Sequence, residues 1–202
     1  MDIQRMLRQF RPMKHYIIAA ACVFVLGIIL GYTDSGAYQS LLQAQIDQLQ
    51  GMADIIKQSD HQQLSLFSHI LLNNLLASIL SILLGLFFGI FPLYFLVSNG
   101  LLLGFVATDR SGGQTFLYFL KGIVPHGIFE IPAFILACAL GLRLGFLMLE
   151  SIGGLFNEER RLRFQINFRS YIKLLATGII MVIVLMLLAA VIESTVTYAL
   201  MN

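Results

Sequence analysis

The apolar stretch from Ile70 to Val97 constrains this chain most: it carries no charge and exceeds the roughly 20 residues that a helix needs to cross a bilayer. Tyr16 to Tyr32, residues 126–149 and about Leu174 to Ala199 form further runs of the same kind. Residues 99–124 are apolar but irregular, broken by TDRSGGQT at 108–115. Composition agrees: 58% of the residues are hydrophobic and 12% charged, against about 45–50% and about 25% in a soluble domain. The expected fold is an all-α polytopic membrane protein of about five transmembrane helices, with residues 1–202 forming one membrane domain.

Cysteines and histidines narrow the chemistry. Cys22 and Cys138 both lie in apolar runs, so no disulfide framework or CxxC metal motif is present. His15, His61, His69 and His126 form no HExxH, which removes the usual metalloprotease signature. No cofactor is expected and no metal-ligand motif stands out, and a net charge of +2 gives no reason to expect nucleic acid.

Charge distribution sets the orientation. Lys and Arg gather on the cytoplasmic side of short loops. Arg5, Arg8, Arg11 and Lys14 precede the first run, and Arg160, Arg161, Arg163, Arg169 and Lys173 occupy 150–173. Residues 33–69 are acidic, with Asp34, Asp47, Asp54 and Asp60 against Lys57. Both basic stretches are therefore placed inside, and 33–69 outside. Between them, region 99–149 crosses an even number of times, as two spans or as a broken, re-entrant segment around 116–130. Either way the N-terminus is inside and the C-terminus outside; five crossings are favoured.

Small residues four apart recur as Gly27/Gly31, Gly85/Gly89, Gly100/Gly104 and Gly141/Gly145. Such pairs let helix backbones approach closely, although they name no partner. In the fourth apolar run, His126, Glu130, Ala133, Ala137, Gly141 and Gly145 share one helical face, which should point into the bundle. Depth along the spans brings Asn73, Asn74, His126, Glu130 and Glu193 together near the outer leaflet, with Asn99 and Arg143 as an inner counterpart. The favoured role of the outer cluster is a hydrogen-bonded clasp between helices; a proton or ion site is the alternative. Arg143 is expected to snorkel toward the inner headgroups.

Outside the membrane, Leu42, Ile46, Leu49, Ala53 and Ile56 form a short seam of coiled-coil type. It either docks a partner, mediates self-association, or folds over the protein's own helix ends. In the inner loop, Phe164, Phe168 and Ile172 recur as on an interfacial helix, while Leu162, Phe164, Ile166 and Phe168 alternate as in a strand.

Residues 125–145, PHGIFEIPAFILACALGLRLG, resemble the signature of the stage II sporulation protein M family of integral membrane proteins. Asn99-Gly100 followed by LLLG, and AAVIES at 189–194, echo it more weakly. His126, Gly127, Glu130, Pro132, Arg143 and Glu193 match the motif positions, within a frame that includes Pro125, Gly141 and Gly145. Tyr198 stands where the family tends to carry a proline. The resemblance implies a non-enzymatic scaffold or anchor in the cell membrane. In endospore formers the sporulation member works with two peptidoglycan-cleaving proteins during forespore engulfment. Expected partners are thus membrane lipids, extracytoplasmic peptidoglycan-cleaving proteins and a second copy of the chain. A transporter or permease-like protein is the alternative.

Overall fold

The computed structural model describes residues 10–33, 38, 40–45, 47, 51, 62–108, 115–192 and 195, with side chains for all of these except 62, 63, 66, 108 and 115–126. Among the described residues the fold is helical and without strands. A short 3-10 turn, Arg11–Met13, leads into α1 (Lys14–Thr33). Then come α2 (Gln62–Leu83), α3 (Ile90–Thr108), α4 (Thr115–Gly154) and α5 (Glu158–Ile192). Among the described residues, five helices are long and apolar enough to cross a membrane.

Close backbone contacts define how the helices run. Gly27 of α1 lies against Val97 and Gly100 of α3, and Gly31 lies against Leu101, so α1 and α3 are parallel. Ser81 of α2 meets Cys138 of α4, and Gly85 meets Gly141, so this pair is parallel too. Aromatic contacts between Tyr16 and Phe146 and between Phe24 and Phe134 make α1 and α4 antiparallel. Asn167 bonded to Glu150, and Tyr171 to Leu140, make α5 antiparallel to α4. Directions therefore alternate along the chain. The start of α1, the α2–α3 connection and the α4–α5 hairpin share one face, called here the N-terminal face.

α4 is the axis of the bundle and packs against each of the other four helices. Its stripe Ala133, Ala137, Gly141 and Gly145 is buried, as the spacing predicts. The four glycine pairs also find their partners. Gly27/Gly31 pack on Gly100/Gly104, and Gly85/Gly89 pack on Gly141/Gly145. A Cβ on Gly27 would sit 2.8 Å from the Val97 carbonyl oxygen, and one on Gly100 would sit 2.5 Å from that of Phe24. Backbone, not a movable side chain, occupies the space.

Several boundaries differ from those read in the sequence. Residues 70–97 are not one span: the chain breaks at a 3-10 turn, Leu84–Leu86, and turns over Phe87–Gly89. The supposedly irregular 99–124 instead contains the end of α3 and the start of α4, with 109–114 outside the described residues. α4 runs unbroken through Pro125-His126-Gly127, so no re-entrant tip forms there. The reason for the misplaced break is chemical. Leu84 to Ile90 reads LGLFFGI and contains none of the polar residues that usually mark a turn. Phe88 adopts φ 56° and Gly89 φ 80°; such a left-handed conformation costs a bulky residue about 1–3 kcal/mol.

The basic stretch 150–173 is likewise a helical hairpin and not a loop. Asn157 caps α5, its Oδ1 accepting the Glu159 N–H at 2.8 Å, while Glu158 and Glu159 favour the positive end of the helix dipole. Phe164 and Phe168 pack toward the core with ring centroids 5.5 Å apart, so they do not form a membrane-surface face. Beyond Phe146, α4 continues to Gly154, about 12 Å at 1.5 Å per residue.

Gly31→Val and Gly104→Val should each lower stability by about 1–3 kcal/mol or more, since the intruding atoms would meet backbone. Gly51→Ala, with open space around it, should be silent. Unfolding midpoints in mixed detergent micelles check both.

Candidate functional site: polar residues around the central helix

In α2, Asn74, Ser78, Ser81 and Gly85 step by four, three and four, a stripe running along α4. Ser81 Oγ donates to Cys138 Sγ at 3.1 Å, and Gly85 abuts Gly141. The same register two turns earlier sets Asn74 level with Glu130. Both residues are half-buried, and the Glu130 Oε2 atom is out of solvent reach. Asn73 Nδ2 points at Asn74 Oδ1 across 3.4 Å. Two helices thus bring three of the five expected cluster residues to one depth. The helix backbone passes through His126, but its side chain and that of Pro125 lie outside the described residues, as does Glu193. Gly127 is half-buried and Pro132 exposed, while Gly141 and Gly145 are buried.

The inner pair is not a pair. Asn99 is exposed in the middle of α3, where its Nδ2 donates to the Phe95 carbonyl at 2.9 Å. The sequence reading placed it at a membrane boundary because the true turn, ten residues earlier, is apolar. Arg143 departs from expectation as well. It does not snorkel: it is 8% exposed, and its guanidinium carbon lies 5.8 Å from the centre of the Tyr171 ring. Tyr171 donates its hydroxyl to the Leu140 carbonyl at 3.2 Å. One helical turn further out, Asn167 Nδ2 reaches Glu150 Oε2 at 3.0 Å. Among the described residues, Arg143 Nη1 and Ser78 Oγ are buried without a hydrogen-bond partner.

Sequence reasoning missed Ser78, Ser81, Tyr171, Glu150 and Asn167. The α2 serines were legible as a continuation of the Asn74 stripe. Tyr171 and Asn167 fall in the stretch whose spacing suits an interfacial helix or a strand, and nothing in the sequence pairs that stretch with α4.

The outer seam is seen in part. Leu42 is 3% exposed, and Gln45 Nε2 donates to Ser98 Oγ in the middle of α3 at 3.0 Å. Residues 40–45 therefore lie against the middle of α3, not over a helix end. Gln43 and Asp47 face outward and bond each other at 2.8 Å. Ile46, Leu49, Ala53 and Ile56 lie outside the described residues. Among the described residues, no group of three His, Cys, Asp or Glu side chains gathers to hold a metal ion.

A five-helix bundle with an apolar exterior, glycine-mediated crossings and cross-helix polar bonds is an integral membrane protein. Within that class the chain belongs to the stage II sporulation protein M family, whose model matches residues 18–198. A relative in Methanocaldococcus jannaschii, described as uncharacterized protein MJ0706, is 28% identical over 210 residues, covering 98% of this chain and 88% of the relative. No solved structure matches the chain.

The register makes a direct prediction. In a background lacking the native cysteines, Asn74→Cys with Glu130→Cys should crosslink, and Asn99→Cys with Arg143→Cys should not. Gel mobility after oxidation checks it. Tyr171→Phe should cost about 0.5–1.5 kcal/mol through the lost bond to Leu140, measured by detergent unfolding.

Proposed function

We propose that this protein is a non-enzymatic scaffold of the plasma membrane, with its N-terminus inside and its C-terminus outside, that localises peptidoglycan-degrading partners as in forespore engulfment. The observation that carries this reading is the family match across residues 18–198. The interior supports it: the polar bonds Ser81–Cys138, Tyr171–Leu140 and Asn167–Glu150 each join two helices of this chain, as in a clasp. The basic start of α1 and the basic α4–α5 hairpin share the N-terminal face, which favours that face as cytoplasmic. α1 then ends on the extracytoplasmic side, and residues 40–45 fold back from there against α3, where Gln45 bonds Ser98 at mid-helix. Gln43 and Asp47 bond each other on the exposed side of this segment, and in this reading that side is the one offered to a partner.

Deleting residues 40–60 should abolish co-purification with a peptidoglycan-cleaving partner while leaving membrane insertion intact. Gln45→Ala, which only loosens the segment, should reduce co-purification without ending it. Glu130→Gln combined with His126→Asn should leave partner binding unchanged. If that double variant instead abolishes a pH-dependent ion flux in proteoliposomes, the protein is a transporter and the scaffold reading fails.

A further inference from the structure

The α2–α3 connection has a character that a water-exposed loop lacks. Leu84 to Ile90 carries no polar side chain, and no charge occurs between Ile70 and Thr108. Leu86, Phe87, Phe88 and Ile90 are 49%, 56%, 47% and 61% exposed, so the protein itself does not cover them. The rings of Phe87 and Phe91 meet edge to face with centroids 5.5 Å apart.

The turn also pairs much of its own backbone. The Phe87 N–H donates to the Leu84 carbonyl, Gly89 to Gly85, Ile90 to Phe87 and Leu93 to Gly89, at 3.0 to 3.3 Å. In water those bonds are optional, because solvent would serve. In hydrocarbon each unmade bond is penalised, and irregular backbone persists only where it is satisfied. Phe88 sharpens the point. Its φ of 56° suits glycine or asparagine, yet an aromatic ring is kept at the apex.

Depth fixes where this apex sits. Gly89 lies against Leu142 and Gly145 of α4, and Phe146, one residue on, meets Tyr16 near the start of α1. The hairpin contacts Glu150–Asn167 and Leu140–Gly178 set Lys173 near the same level. The turn therefore lies at the boundary between acyl chains and headgroups, short of the basic hairpin that continues outward.

We propose that the α2–α3 turn is a lipid-embedded tip, whose exposed Leu86, Phe87, Phe88 and Ile90 bind the acyl chains of the leaflet on the N-terminal face. The connection does not emerge into water. Acyl chains are the occupant that an uncharged, aromatic surface with most of its turn N–H groups paired accepts at that depth. A soluble partner would have to reach it through the headgroups.

The chain contains no tryptophan, so Phe88→Trp gives the full-length protein a single tryptophan at the apex, which can be excited apart from the tyrosines. In phosphatidylcholine–phosphatidylglycerol vesicles its emission should be blue-shifted. Lipids brominated on the upper acyl chain should remove most of that emission, and iodide should remove none. Phe87→Trp repeats the measurement should the αL position reject the larger ring. Phe87→Cys, in a Cys22→Ser background, should resist a membrane-impermeant maleimide added from either side. Iodide quenching or maleimide labelling would show a water-exposed loop and overturn the proposal. Blue-shifted emission that brominated lipid leaves untouched would also overturn it, since protein would then cover the turn.

Discussion

Everything in this bundle hangs on two places where backbone meets backbone. Lipid chains are as apolar as leucine, so no hydrophobic force draws membrane helices together; close packing and interhelical bonds must do it. Here α1 and α3 touch through Gly27, Gly31, Gly100 and Gly104, and α2 and α4 through Gly85, Gly89, Gly141 and Gly145. Both crossings are parallel, which requires each pair to be separated in sequence by a helix running the other way. The topology follows: directions alternate, and α4 becomes the surface on which the remaining helices are placed.

That dependence explains why polar bonds appear where they do. Ser81 to Cys138 sits between the Asn74–Glu130 level and the Gly85–Gly141 approach, so it shares their register. A shift of one residue along α2 would turn Ser81, Ser78 and Asn74 away from α4 together. The polar stripe and the glycine stripe are thus one device: glycine permits the approach, and the polar groups penalise every register but one.

Much of this was legible in the sequence, for identifiable reasons. Apolar length gave the membrane class, and four-residue glycine spacing gave the crossing surfaces, though not their pairing. The spacing from Glu130 to Gly145 gave the buried face of α4. The α2–α3 break was hidden because turn recognition depends on polar and turn-forming residues, and LGLFFGI offers only its two glycines. Moving that break moved Asn99 from a boundary to the middle of α3 and dissolved its supposed partnership with Arg143. The α4–α5 hairpin was hidden for the opposite reason: its charges read as a loop, while its capping residue Asn157 was the overlooked sign of a helix start.

Arg143 shows what such an error conceals. On a helix ending at the headgroups, an arginine that far along would reach water with its own side chain. Because α4 continues to Gly154 and α5 returns beside it, the hairpin walls Arg143 off, and Tyr171 from α5 lies under its guanidinium. A buried cation held by an aromatic face gains some of the attraction lost with water, but less than a carboxylate would give. Glu150 could have provided that carboxylate, yet it lies about two turns farther along α4 and bonds Asn167 instead. The charge therefore adds little to stability for what burial costs. What it does add is intolerance of misplacement, because any slip of α5 along α4 would take the Tyr171 ring away from the cation. Arg143 acts on α5 as the serines act on α2, fixing where each helix stands against α4.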